Sequence, residues 1–175
     1  MTRTLLVAPH ADDETLFASY LAQRHAAHVV VVYDEGRDVE LEHATTWLGC
    51  SFHQMPVPKG AAEDTVEAFL IGLRDPSGAD DYLRVIAPDV EEFGHEEHNL
   101  VGRLCLTVFQ DIDIIRYRTY SPRGTRSHGT PSTPDRPEFI ARKLAALSCY
   151  RTQIEQTSTR PWFYDLLDMR EWTAS

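Results

Sequence analysis

The chain has 175 residues, 42% of them apolar, which suits one globular domain spanning residues 1–175 with a sizeable core. A formal net charge of −10 argues against general nucleic-acid binding and against an anionic membrane surface, because the long-range field repels phosphate. No apolar run approaches the roughly 20 residues that span a bilayer, and no signal-peptide pattern is visible. Three scattered cysteines, Cys50, Cys105 and Cys149, fit neither a disulfide frame nor a zinc ribbon. They read as buried thiols in a reducing compartment, so the expected location is the cytoplasm. Nothing in the sequence fixes an oligomeric state.

The apolar run Leu5–Ala8 predicts a short buried strand that stops at Pro9, which has no N–H for a sheet ladder. His10, Asp12, Asp13 and Glu14 follow at once. A helix is predicted next, with Leu16, Phe17, Tyr20 and Leu21 on one face and Asp12 or Asp13 near its start. His28–Tyr33 contains four consecutive valines, the mark of a strand buried on both faces. A helix is predicted from about Arg37 to Leu48, closed by Gly49 in the left-handed conformation. Ser51–Met55 is predicted as a short strand ended by Pro56 and Pro58, and residues 61–74 as a helix carrying Val66, Phe69, Leu70 and Leu73. Asp75–Gly78 is a turn.

Tyr82–Ala87 is another apolar run ending in a proline, and an acidic, histidine-rich stretch follows at 89–98. The next helix carries Val101, Leu104, Cys105, Val108 and Phe109, and Ile112–Tyr117 is predicted as the last strand. Residues 121–137 are dense in Pro, Gly, Ser and Thr, and so long a loop suggests a lid, a binding loop or disorder. A single amphipathic helix is predicted after it, with Phe139, Ile140, Leu144, Leu147 and Ile154 on one side. Trp162, Phe163, Leu166, Leu167 and Trp172 give the tail enough apolar surface to dock.

Alternation of this kind predicts a Rossmann-like α/β fold: a doubly wound, mostly parallel sheet with helices on both faces. Right-handed crossovers carry the second and third strands to one side of the first, and the strand at 82–87 returns to its other side. The two loops that follow these neighbours open into one crevice, the topological switch point where such sheets bind ligands. His10–Glu14 and Phe93–Asn99 are therefore expected to face each other.

Imidazole with carboxylate suits zinc or iron, and catalytic zinc takes three protein ligands plus an open position. His10 and Asp13 supply two, and either His95 or His98 completes the set. Taken alone, each cluster reads better as a solvated acidic helix start or surface turn. Their shared crevice favours the metal.

Pro9-His10-Ala11-Asp12-Asp13-Glu14 resembles the Pro-His-Pro-Asp-Asp-Glu signature of the PIG-L (LmbE-like) zinc-dependent N-deacetylases, and His95-Glu96-Glu97-His98 resembles that family's His-x-Asp-His motif. Weaker echoes are Arg37-x-x-Glu40 with Ala44 and Leu48-Gly49, and Lys143 with Tyr150 and Gln153. The resemblance implies His10, Asp13 and His98 as ligands of one zinc ion, or of another divalent transition metal. It implies Asp12 as the general base toward a zinc-activated water, with His95 protonating the leaving amine or steadying the oxyanion. Glu14 reads as a supporting group behind the ligands. Two departures stand out: Ala11 replaces a proline, and Glu97 replaces the aspartate expected to orient the catalytic histidine.

The activity implied is removal of an N-acyl group, acetyl first of all, from an amino sugar or related small amine. Two alternatives are a metal-dependent hydrolase of another bond, such as a phosphoester, and a catalytically silent metal-binding protein of the same fold. Arg37 follows the second strand at the crevice, where it either grips an anionic or hydroxyl-rich substrate or pairs with Asp34 or Glu40. Arg123 and Arg126, with Arg116, Arg118 and His128, read either as a solvated loop or as a substrate-binding rim for a nucleotide-linked or phosphorylated molecule.

Overall fold

The computed structural model describes residues 3–74, 82–119, 129–157 and 171–174. Strand β1 (Arg3–Ala8) leads through helices α1 (Asp13–Phe17) and α2 (Ser19–His25) to β2 (His28–Asp34). Helix α3 (Asp38–Leu48), β3 (Ser51–Pro58), α4 (Glu63–Leu73) and β4 (Tyr82–Pro88) continue the alternation. Helix α5 (Glu96–Val108) and β5 (Asp113–Tyr117) follow, then β6 (Thr130–Ser132), α6 (Pro137–Leu147), α7 (Arg151–Thr157) and β7 (Glu171–Thr173).

The seven strands among the described residues form one sheet in the order β3-β2-β1-β4-β5-β7-β6. From β3 to β5 every pairing is parallel. The doubly wound order expected from the alternation is what the chain adopts. Strand period divides the apolar runs between two cores, because successive side chains point to opposite faces. Leu6, Ala8, Val29 and Val31 meet α1, α2, α3 and α6 on one side. Leu5, Val7, Val30 and Val32 meet α4 and α5 on the other. All four consecutive valines are fully buried, each contributing roughly 1.5–3 kcal/mol.

Several boundaries differ from expectation. Strand β3 runs on through Pro56 to Pro58, because it is an edge strand with one side unpaired and its prolines break no ladder on that side. The first helical stretch is two helices, broken at Ala18. The chain does not end its sheet at β5: β7 inserts antiparallel between β5 and β6. Part of the stretch 121–137 is thus ordered strand, since β6 lies within it, while residues 120–128 and the tail residues Trp162, Phe163, Leu166 and Leu167 lie outside the described set. Gly49 caps α3 with φ 71°, as expected. Among the described residues no helix is long and apolar enough to cross a membrane.

The late helix also departs from its sequence pattern. It is split into α6 and α7, and its inward face is Phe139, Lys143, Ala146 and Tyr150, not the row of Ile140 and Leu144. A lysine in that row hides the true face from a hydrophobicity reading. Lys143 Nζ lies 2.7 Å from Glu171 Oε1, with both side chains fully buried, and also donates to the Leu16 carbonyl at 2.9 Å. Glu171 in turn accepts the Ser19 hydroxyl at 2.5 Å and the Tyr20 amide at 3.0 Å. This ion pair fastens β7 and α6 to the break between α1 and α2.

Removing one member of a buried pair strands its partner's charge. Lys143→Met is expected to cost about 3–5 kcal/mol in urea unfolding, and adding Glu171→Gln is expected to restore most of the loss. Additive losses in that double variant would contradict the pairing.

Candidate metal centre

Strand β1 pairs with β4 in register Leu6↔Ile86, so the segments leaving the carboxyl ends of both strands emerge side by side. The first segment is pinned at once: the Tyr33 amide donates to the Pro9 carbonyl at 3.0 Å. The second is held by Asn99, whose side chain accepts the Glu91 amide at 2.9 Å and donates to the Glu91 carbonyl at 2.7 Å. Helix α5 then approaches β4 closely at Gly102, where a Cβ would stand 2.6 Å from the Pro88 carbonyl oxygen. That approach carries His98, one turn earlier, into the crevice.

Three donors converge there from residues up to 88 apart in sequence. His10 Nδ1 is 3.1 Å from His98 Nε2 and 3.3 Å from Asp13 Oδ2, and His98 Nε2 is 3.2 Å from the same oxygen. A tetrahedral zinc site with bonds of about 2.0–2.1 Å has ligand–ligand edges of about 3.3 Å. The triangle fits the face of such a tetrahedron. His10, Asp13 and His98 are the group among the described residues that can hold a metal ion. The same turn adds a further link, because Asp13 Oδ2 accepts the His10 amide at 2.9 Å.

Asp12 and His95 flank the triangle and are its more open members. Their side chains are 16% and 37% exposed, against 11%, 2% and 1% for His10, Asp13 and His98. The His95 ring lies 5.8 Å from that of His10 and 5.2 Å from that of His98. Asp12 has φ 144°, an unfavourable backbone for a residue with a side chain, of the kind that persists only when its surroundings fix it. Here its amide donates to Glu14 Oε2 at 3.1 Å, and Arg37 Nη1 lies 3.1 Å from its carboxylate. The Thr15 and Tyr150 hydroxyls donate to Glu14 Oε1 at 2.5 and 2.6 Å.

Among the described residues Arg37 contacts Asp12, donates to the Ala11 carbonyl, and pairs with Glu35 where Asp34 or Glu40 was expected. Ala11, where the resembling signature has proline, is thereby held from outside. Arg116 and Arg118 sit on Asp89 at 2.8 and 3.1 Å. Arg123 and Arg126, like His128, lie outside the described residues. Sequence reasoning missed Glu35 and Tyr33, the latter stacked on His10 at 5.6 Å, and it expected the residue at Glu97 to orient the catalytic histidine, whereas Glu97 lies on His10 Nε2 at 2.8 Å. Glu35 and Tyr33 carry no sequence signal of their own.

The electrostatics separate two adjacent carboxyls. Burial pushes Asp12 up to about 7, Asp13 pushing the same way and Arg37 opposing. Burial would raise Asp13 too, but the imidazoles of His98 and His10 reverse it and hold that carboxyl well below the usual range. Asp13 is thus kept as an anion for a cation, while Asp12 is poised to exchange a proton near neutrality. His95 is lowered by burial and by the neighbouring His98 and His10.

Fold and site define a Rossmann-like α/β protein with three converging donors that could hold a metal ion at the switch point of its sheet. No family model and no curated protein matches the chain. Solved structures share its fold. The conserved protein TT1542 from Thermus thermophilus aligns with a TM-score of 0.71 at 18% identity, covering 100% of this chain and 94% of that one. A deacetylase triple mutant from the teicoplanin biosynthetic pathway aligns at 0.69 and 14% identity, covering 95% and 90%. The N,N'-diacetylchitobiose deacetylase from Pyrococcus horikoshii, complexed with an inhibitor, aligns at 0.67 and 16% identity, covering 94% and 75%.

If the triangle binds one ion, equilibrium dialysis of the purified chain against zinc will give about one ion per chain. His98→Ala, which removes one of the three donors, is expected to abolish stoichiometric binding at micromolar zinc; retention would rule the triangle out.

Proposed function

We propose that this chain is a zinc-dependent N-deacetylase of the PIG-L (LmbE-like) type. It removes an acetyl or similar acyl group from the nitrogen of an amino sugar or related small amine. The observation that carries the reading is the His10, Asp13 and His98 triangle with Asp12 and His95 standing beside it. Two of the fold's solved relatives are deacetylases, and one is named for an N-acetylated amino sugar. The three free thiols and the charge of −10 suit a cytoplasmic enzyme of small molecules.

His10, Asp13 and His98 would hold the zinc, which when bound would polarise the amide carbonyl and make water a nucleophile near neutral pH. Asp12 takes the proton of the attacking water. Its carboxyl, raised to about 7, suits that transfer at physiological pH, and Arg37 keeps it aimed. His95 delivers a proton to the departing nitrogen as the C–N bond breaks, leaving acetate and a free amine.

Asp12→Asn keeps the size of the side chain and removes its basicity. It is expected to lower amine release from N-acetylglucosamine derivatives by about 10²–10⁴-fold while zinc content is unchanged. Wild-type turnover in that variant would sink the assignment of Asp12. Zinc binding without turnover of any acylated amine would favour a silent metal protein instead.

Arg123 and Arg126 are proposed to grip a phosphate of the substrate. The Arg123→Ala, Arg126→Ala double variant is expected to raise KM for a nucleotide-linked or phosphorylated substrate, most strongly at low salt, with kcat retained. Unchanged kinetics would end that idea.

A further inference from the structure

The geometry points to Glu97 as the positioning residue of the metal centre, acting through His10 and not through His95. The inference rests on the reading of His10 as a ligand. Glu97 Oε2 lies 2.8 Å from His10 Nε2, the ring nitrogen opposite the one that faces Asp13 and His98. The same oxygen is 4.0 Å from His95 Nδ1, beyond hydrogen-bond reach, and that nitrogen is buried with no hydrogen-bond partner among the described residues.

An imidazole that gives a metal its Nδ1 lone pair carries its proton on Nε2. Glu97 accepts that proton's hydrogen bond, so it selects the tautomer that leaves Nδ1 free. It also fixes the ring plane and makes the ring a stronger donor, as carboxylates behind metal-bound imidazoles do. Position helps: Glu97 lies in the first turn of α5, where a helix end favours an acidic side chain. Tyr33, stacked on the ring at 5.6 Å, holds a face of the same imidazole. Glutamate here is one methylene longer than the aspartate of the His-x-Asp-His motif. In this chain its carboxylate sits on a zinc ligand, and His95 keeps an imidazole free of that partner.

The test uses the full chain and reads zinc affinity by competition with a chromophoric chelator. Glu97→Ala is expected to weaken zinc about 10–100-fold. Glu97→Gln keeps both volume and an acceptor oxygen, so it is expected to lose less, and it carries the test should the alanine variant fail to fold. A second readout is the His10 Nε2 proton in zinc-loaded, ¹⁵N-labelled protein. It is expected as a slowly exchanging downfield resonance in the wild type and in Glu97→Gln, and to vanish in Glu97→Ala. Wild-type zinc affinity in both Glu97 variants, with zinc lost from His98→Ala, would overturn the role of Glu97 and leave the metal centre standing. Wild-type affinity in His98→Ala would remove the metal centre itself.

Discussion

The parallel pairing of β1 with β4 is the constraint on which this molecule depends. The chain lays β2 and β3 to one side of β1 and then crosses back to place β4 on the other. Had β4 continued outward past β3, it would lie three strands from β1, about 14 Å away at the usual spacing. No single ion could then be shared by His10 and His98. The reversal brings their ring nitrogens to 3.1 Å, and every feature of the crevice is an elaboration of that meeting.

Three acidic residues in a row would ordinarily repel one another and raise each other's basicity. Here Asp12, Asp13 and Glu14 are sent to three different sets of partners. Asp12 meets the Arg37 guanidinium, Asp13 meets two imidazoles, and Glu14 turns back to the Asp12 amide and the Tyr150 and Thr15 hydroxyls. The backbone at Asp12, with φ 144°, is what allows successive carboxylates to diverge so widely. Arg37 and Glu14 together carry that conformation, one from each side of the turn. Glu97 makes the same kind of contribution across the crevice, since it reaches from α5 to a ring supplied by the β1 loop.

Much of this was legible in the sequence where local pattern and global order agree. Val29–Val32 could only be a strand buried on both faces, and the proline-ended runs at Leu5–Ala8 and Tyr82–Ala87 marked the two loops. Strand order followed from crossover handedness, and with it the meeting of the two motifs. What stayed hidden depended on partners far away in sequence. Lys143 breaks the apolar row of α6 because its charge is answered by Glu171, and no local pattern announces that. Strand β7 is three residues long and pairs with equally short β6. Glu35 and Tyr33 escaped for the same reason, being ordinary residues until the fold turns them inward, and Glu97 was visible in its motif while its partner, His10, was not.

The tie between Glu171 and the first helices has a consequence for biosynthesis. A chain leaving the ribosome exposes β1, α1 and α2 early, yet the counter-charge for Lys143 arrives only near residue 171. Until then the α6 face carries an unanswered ammonium group that cannot enter the interior. Seating α6 on the first helices is therefore coupled to the arrival of β7 and not to the folding of α6 alone.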